Sequence, residues 1–409
     1  NLTITGNSCG GQGGGVYANY TSDFSFNGGL VQGNSANEGS GLYFANSSPS
    51  LSNLVVTENT AINDGAGIKA RGVYGSIQPT FTDIELTNNQ AGNQGGGLYL
   101  DNAVAIMNNL TITGNSCGGQ GGGVYADYTS DFSFNGGLVQ GNSGSNGAGL
   151  YVNGSSPVLT NVTFDQNEAV DNGGGIYIIN CVLFDIHNST FKENSASGGG
   201  AINSDNSGLI IVGTYFIENT ATYGAGIRTR YGSICEITES HFHDNYQQDF
   251  AYKNAIHTRD SNVSITNCTY TTSAPIAPGG GLIVFEPGNS NVNIINSILW
   301  NLLSNEITSN SEGNQLTVSY SNIEGGETGI NHPENLTITW LDGNIDEDPL
   351  FMNPDSLNYT LQYDSPCIDA GATLVVFNQD TLYQAEPGSY IGDAPDMGAF
   401  EFDINSQFI

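Results

Sequence analysis

Three short stretches carry most of the side chains able to do chemistry: AINSDNSG (201–208), GIRTRYGS (226–233) and AIHTRDSN (255–262). Aligned on their aliphatic residue, they place Asn203, Arg228 and His257 at one position, and Asp205, Arg230 and Arg259 at or beside the position two residues on. Residues two apart on a strand share a face, so these side chains are expected to form two adjacent outward columns. Three of the chain's seven Lys and Arg residues would then converge with a histidine within about 10 Å. Guanidinium forks bind carboxylates and sulfates through paired hydrogen bonds. The expected ligand-binding set is therefore Asp205, Arg228, Arg230, His257 and Arg259, and its ligand an acidic glycan. In a catalytic version, an Arg or His257 would abstract the proton alpha to a uronate carboxylate while another Arg neutralises that carboxylate. Two facts weigh against it. Arg230 and Arg259 have Asp205 and Asp260 as ready partners, and no carboxylate cluster able to hold Ca2+ accompanies the set.

Asp101 and Asp127 each follow a tyrosine by two residues, one repeat apart, so they are expected to stack facing outward. Stacked like charges repel, and a bound Ca2+ would relieve them; plain solvation is the competing expectation. His241 and His243 share a strand face and could share a metal, although a surface pair is the simpler expectation. The chain contains no HExxH, P-loop or zinc spacing, and its many Asn-X-Ser/Thr sequons follow from its composition.

The elements that must position these residues are repeats. Asn1–Ser35 returns at 109–143 with one change, Asn19 to Asp127. Inside that duplication a finer unit of about 26 residues recurs, marked by GGGVY at 13, GSGLY at 39, GGGLY at 95, GAGLY at 147 and GGGIY at 173. An asparagine keeps phase with it at 7, 34, 59, 89, 115, 142, 167, 194, 219 and 245. Apolar residues alternate with period two within each unit, which reads as short strands. Such a unit buries no core alone, but stacked units do. The expected fold is all-β: a right-handed parallel β-helix of roughly a dozen coils about 4.8 Å apart, a rod of about 60 Å. Val16, Leu42, Ile68, Leu98, Val124, Leu150, Ile176, Ile202 and Ile227 should form an inward ladder. The next residue outward is Tyr17, Tyr43, Lys69, Tyr99, Tyr125, Tyr151 and Tyr177 in turn, a self-stacking column or a platform for sugar rings. Coils are expected over 1–324. The irregular segment 325–409, with Phe351, Phe377, Phe400 and Phe402, should cover the open end of the stack.

With 40 acidic and 7 basic residues, the net charge of −33 excludes a nucleic-acid partner and docking on anionic lipid. No apolar stretch is long enough for a transmembrane helix. The six cysteines form no framework and are expected to be free or buried thiols. Asn1 falls inside a repeat, so the chain is expected to be part of a longer product.

The tags also carry a resemblance. Gly199-Gly200-Ala201-Ile202 and the FxxN series from Phe164, Phe191, Phe216 and Phe242 resemble the repeats of polymorphic outer-membrane proteins. The ordered series NSILWN (296–301), YSNIEGG (320–326), GNIDEDPLF (343–351), SPCIDAG (365–371) and DMGAFEF (396–402) resembles the choice-of-anchor Q proteins, secreted bacterial right-handed β-helix proteins. The resemblance implies export and often surface attachment, but no catalytic constellation. Two functions stay open. One is an extracellular structural or adhesive module, partnered by a glycan or by neighbouring copies. The other is a protein that binds or degrades polysaccharides, as a lyase or glycoside hydrolase does. The non-enzymatic one is favoured, with no cofactor required beyond a possible Ca2+.

Overall fold

The computed structural model describes residues 2–20, 24–73, 77–128, 130–247, 255–273, 282–300, 307–309, 311–331 and 333–403. Their fold is an all-β parallel β-helix. Helical structure among them is limited to three 3-10 turns at Gly326–Gly329, Pro333–Asn335 and Pro354–Ser356. The chain forms two compact units: Asn1–Leu209 with Asn219–Tyr223, and Ile210–Glu218 with Gly224–Ile409.

In the first unit most coils lay down three strands, for example Leu98–Asp101, Ile106–Thr113 and Ser116–Cys117. Each pairs in parallel with its equivalent one repeat later: Val124–Asp127, Ser133–Gln140 and Ser143–Asn146. The register holds like over like, Leu98 on Val124 on Leu150 on Ile176, and these four side chains are fully buried. The outward column follows the expected order, with Tyr43 on Lys69 on Tyr99 on Tyr125 on Tyr151 on Tyr177.

From Asn34 onward the recurring asparagines lie inside. Asn115 donates from Nδ2 to Asn142 Oδ1 at 3.0 Å and to the Leu86 carbonyl at 2.8 Å. Its own Oδ1 accepts both the backbone amide and Nδ2 of Asn89, each at 3.0 Å. The same exchange runs from Asn34 to Asn219, so these buried amides are satisfied chiefly by the coils on either side. That satisfaction matters because a buried polar group without a partner costs about 1–3 kcal/mol. The glycines before the aliphatic ladder are equally constrained. Gly121 turns at φ 68°, and a Cβ on Gly123 would come within 2.5 Å of the Gly149 carbonyl oxygen in the next coil.

In the second unit the strands Ile227–Arg230, Ile256–Thr258, Ile283–Phe285 and Ile307–Ser309 pair in parallel, and Phe216 stacks on Phe242 at 4.5 Å inside. Parallel pairing continues through Leu336–Trp340. The chain then makes two antiparallel hairpins, Phe351–Asn353 with Asn358–Leu361 and Leu374–Phe377 with Asp380–Gln384. These do not simply close an end. Phe351, Tyr359, Leu361 and Met397 pack on Ile298 from the outer side of the coils, and Phe400 lies 5.7 Å from His241 and 6.4 Å from Tyr215. Asn296 fixes the segment by accepting from the Ala372 amide and donating to the Ala372 carbonyl.

Candidate functional site

The stretch 226–262 separates into two arrangements. Arg228 and His257 are opposite one another on paired strands, as the alignment of the repeats requires. Both point at a residue the sequence reading missed, Glu286. Arg228 Nη2 lies 2.7 Å from Glu286 Oε1, and His257 Nδ1 lies 2.7 Å from the same oxygen. Glu286 follows Phe285 at the end of the next strand of that sheet; a Gly-rich run at 279–281 precedes that strand, and Glu286 lies three residues past Ile283 as Arg230 lies three past Ile227. All three side chains are largely withdrawn from water. Burial pushes the His257 imidazole down, against the pull of Glu286, so the ring is neutral at neutral pH and donates its Nδ1 proton. Burial alone would raise the Glu286 carboxyl. The His257 hydrogen bond and the Arg228 charge outweigh it and hold the group at about 2.

Arg230 and Arg259 flank Tyr231. Their guanidinium carbons sit 5.0 and 6.0 Å from the ring centre of Tyr231, an exposed turn residue at φ 57°. Arg259 Nε is 3.7 Å from Asp260 Oδ2, the neighbour expected to pair with it. Asp205 belongs to the first unit. There its carboxylate accepts from Tyr177 Oη at 2.9 Å and from Asn203 Nδ2 at 3.0 Å. Of the five residues expected to form one glycan pocket, Arg228 and His257 meet at Glu286, Arg230 and Arg259 lie beside Tyr231, and Asp205 is bonded to Tyr177 and Asn203.

Asp101 and Asp127 are paired in register, as expected for a stacked couple. Each is engaged by donors of the protein. Asp101 accepts from Asn102 Nδ2 at 2.6 Å and faces Arg71 Nε at 3.1 Å. Asp127 accepts from Tyr125 Oη, Asn153 Nδ2 and the Tyr128 amide at 2.8–3.0 Å. Burial raises its carboxyl, opposed by these three hydrogen bonds. Among the described residues no group of three or more His, Cys, Asp and Glu side chains converges to hold a metal ion.

The tyrosine column spends its faces on itself. Tyr99 and Tyr125 stack at 4.8 Å, Tyr125 and Tyr151 at 5.1 Å, and Lys69 caps the Tyr99 ring at 4.2 Å while bonding Asp64 and Glu38. Tyr99, Tyr125 and Tyr177 are buried, so this part of the column holds coils together and offers no open platform.

His241 and His243 are not a surface pair. The returning C-terminal segment covers them. Both contact Thr271 Oγ1, at 2.9 and 3.2 Å, and Tyr359 Oη reaches His243 Nδ1 at 3.2 Å. Burial and the neighbouring ring push His241 down to about 3, so it is neutral. All six cysteines are free, and Cys181, Cys235, Cys268 and Cys367 are buried. Beside the histidines a cleft of about 270 Å3 opens between the coil face and the C-terminal segment, lined by Thr271, Trp300, Asp348, Phe351, Tyr359 and Gln362 among others.

A family model described as "Right handed beta helix region" matches residues 72–221 and 139–255. No curated protein matches the chain, and no solved structure does. The matched ranges and the parallel ladders agree: this is a right-handed parallel β-helix protein.

Proposed function

We propose that the chain is a secreted, cell-surface structural or adhesive module whose length is set by the number of coils. The carrying observation is the duplication at 1–35 and 109–143. Its two copies adopt the same strands, Val16–Asn19 and Ser25–Gln32 in one, Val124–Asp127 and Ser133–Gln140 in the other. Copying an entire surface gains nothing for a unique active site. It costs little in a solenoid, where each coil bonds only its neighbours. The deployment of charge fits the same reading. Lys69 and Arg228 are bound to buried or half-buried carboxylates, and the remaining acidity keeps a long assembly soluble.

The alternative, a polysaccharide-binding or polysaccharide-degrading protein, draws support from His257. Its Nδ1–H is oriented by Glu286, as a general base requires. Its burial opposes that role. Incubating the purified chain with neutral and uronic polysaccharides should release neither reducing ends nor unsaturated products. Antibodies against it should label intact source cells without permeabilisation. Turnover lost on His257→Ala would replace the structural reading with an enzymatic one, and labelling only after permeabilisation would remove the surface assignment.

A further inference from the structure

We infer that the cleft between the outer coil face and the C-terminal segment binds one ring of an uncharged sugar, a site independent of whether coil number sets length. Its volume, about 270 Å3, lies just below the range of drug-sized pockets, so it holds one ring and not a chain segment. The floor is built. Thr271 and the rings of Phe351 and Tyr359 are buried, and Tyr359 is fixed through His243 while Phe351 meets it edge-on at 5.2 Å. Trp300, half-buried, forms one wall, and the exposed Asp348 and Gln362 form the rim.

The rim is held in place by the backbone. Asp348 Oδ1 accepts the Leu350 amide at 2.9 Å, and Gln362 Nε2 donates to the Phe351 carbonyl at 2.7 Å. Those bonds do not use Asp348 Oδ2 or Gln362 Oε1. Two positioned acceptors beside aromatic rings suit a ligand that brings hydroxyl donors on one edge and C–H groups on its face. Among the described residues no Lys, Arg or His lines the cleft, an aspartate does, and the chain carries −33. An anionic sugar is therefore repelled where a neutral one is not.

Trp300 reports on its own cleft. The chain has two tryptophans, and Trp340→Phe leaves Trp300 as the only indole. This variant, otherwise full-length, would be titrated with gluco-, manno-, galacto-, xylo- and N-acetylglucosamine oligosaccharides, and with oligogalacturonate as the acidic comparator. At least one neutral series should shift the emission saturably. Asp348→Asn, which keeps an acceptor for the Leu350 amide, should weaken that binding about tenfold, the loss expected for one charge-assisted hydrogen bond. Oligogalacturonate should give no response. Absence of saturation with every neutral series, equal binding in the Asp348→Asn variant, or tighter binding of oligogalacturonate would each overturn the inference.

Discussion

Glu286 sets the chemistry of the Arg228–His257 pair, brought together by paired strands. It holds a largely buried guanidinium and a buried imidazole through one oxygen. Removing one partner of a buried pair strands the other charge, at a cost of about 3–5 kcal/mol. Glu286→Gln should therefore lower the urea midpoint of the second unit clearly at neutral pH. The sign with pH follows from the depressed carboxyl. Its stabilisation is complete above the unfolded value of about 4.3 and is lost as the pH falls toward about 2. The parent's midpoint should fall across that window, and the variant's should fall less. Equal curves would show that the pair carries no net stability. At Asp101 and Asp127, Arg71 and four neutral donors already answer the repulsion of the two carboxylates. Calorimetric titration with Ca2+ should give no heat that Asp127→Asn abolishes; saturable uptake lost in that variant would restore the calcium site.

The coil was legible at the scale of elements because its determinants recur. The inward ladder from Leu42 to Ile227, the asparagines and the tyrosine column each sit at one phase of a repeat, and parallel pairing carries phase into space. Glu286, 29 residues beyond His257, was legible in principle, because the Gly-rich run 279–281 stands before its strand and aligns it through Ile283. What could not be read lies where the repeat ends. The C-terminal hairpins have no period, so nothing in their sequence indicated that they fold back over His241 and His243 along the coil face. That segment has its own pH dependence. Burial, seconded by the Asp396 charge, raises the Glu401 carboxyl to about 7 despite the Ile391 and Asp396 amides it accepts. A carboxyl raised in the folded state binds its proton more tightly there, so stability falls as pH rises from the unfolded value of about 4.3 through about 7. Amides of 391–402 should exchange faster above that pH than near pH 5, after correction for intrinsic rates, and Glu401→Gln should remove the difference. Protection independent of pH in the parent would contradict this.

At the scale of the whole molecule, the account rests on coils being interchangeable material. Coils of the first unit satisfy their buried asparagines and their backbone chiefly through the coils beside them. The duplicated block offers a direct test, because Ser35 and Ser143 occupy the same place in it. Removing residues 36–143 joins Ser35 to Gly144 and restores the sequence context that Ser143 has in the parent. The measurement is thermal and urea unfolding of this shortened chain, followed by far-ultraviolet circular dichroism. A chain of stacked coils predicts a folded protein with the parent's β-type spectrum per residue and a smaller denaturant slope, since less surface is exposed on unfolding. An unfolded or aggregated product, or a spectrum with substantial helix, would contradict the claim that coils can be added and lost without disturbing their neighbours.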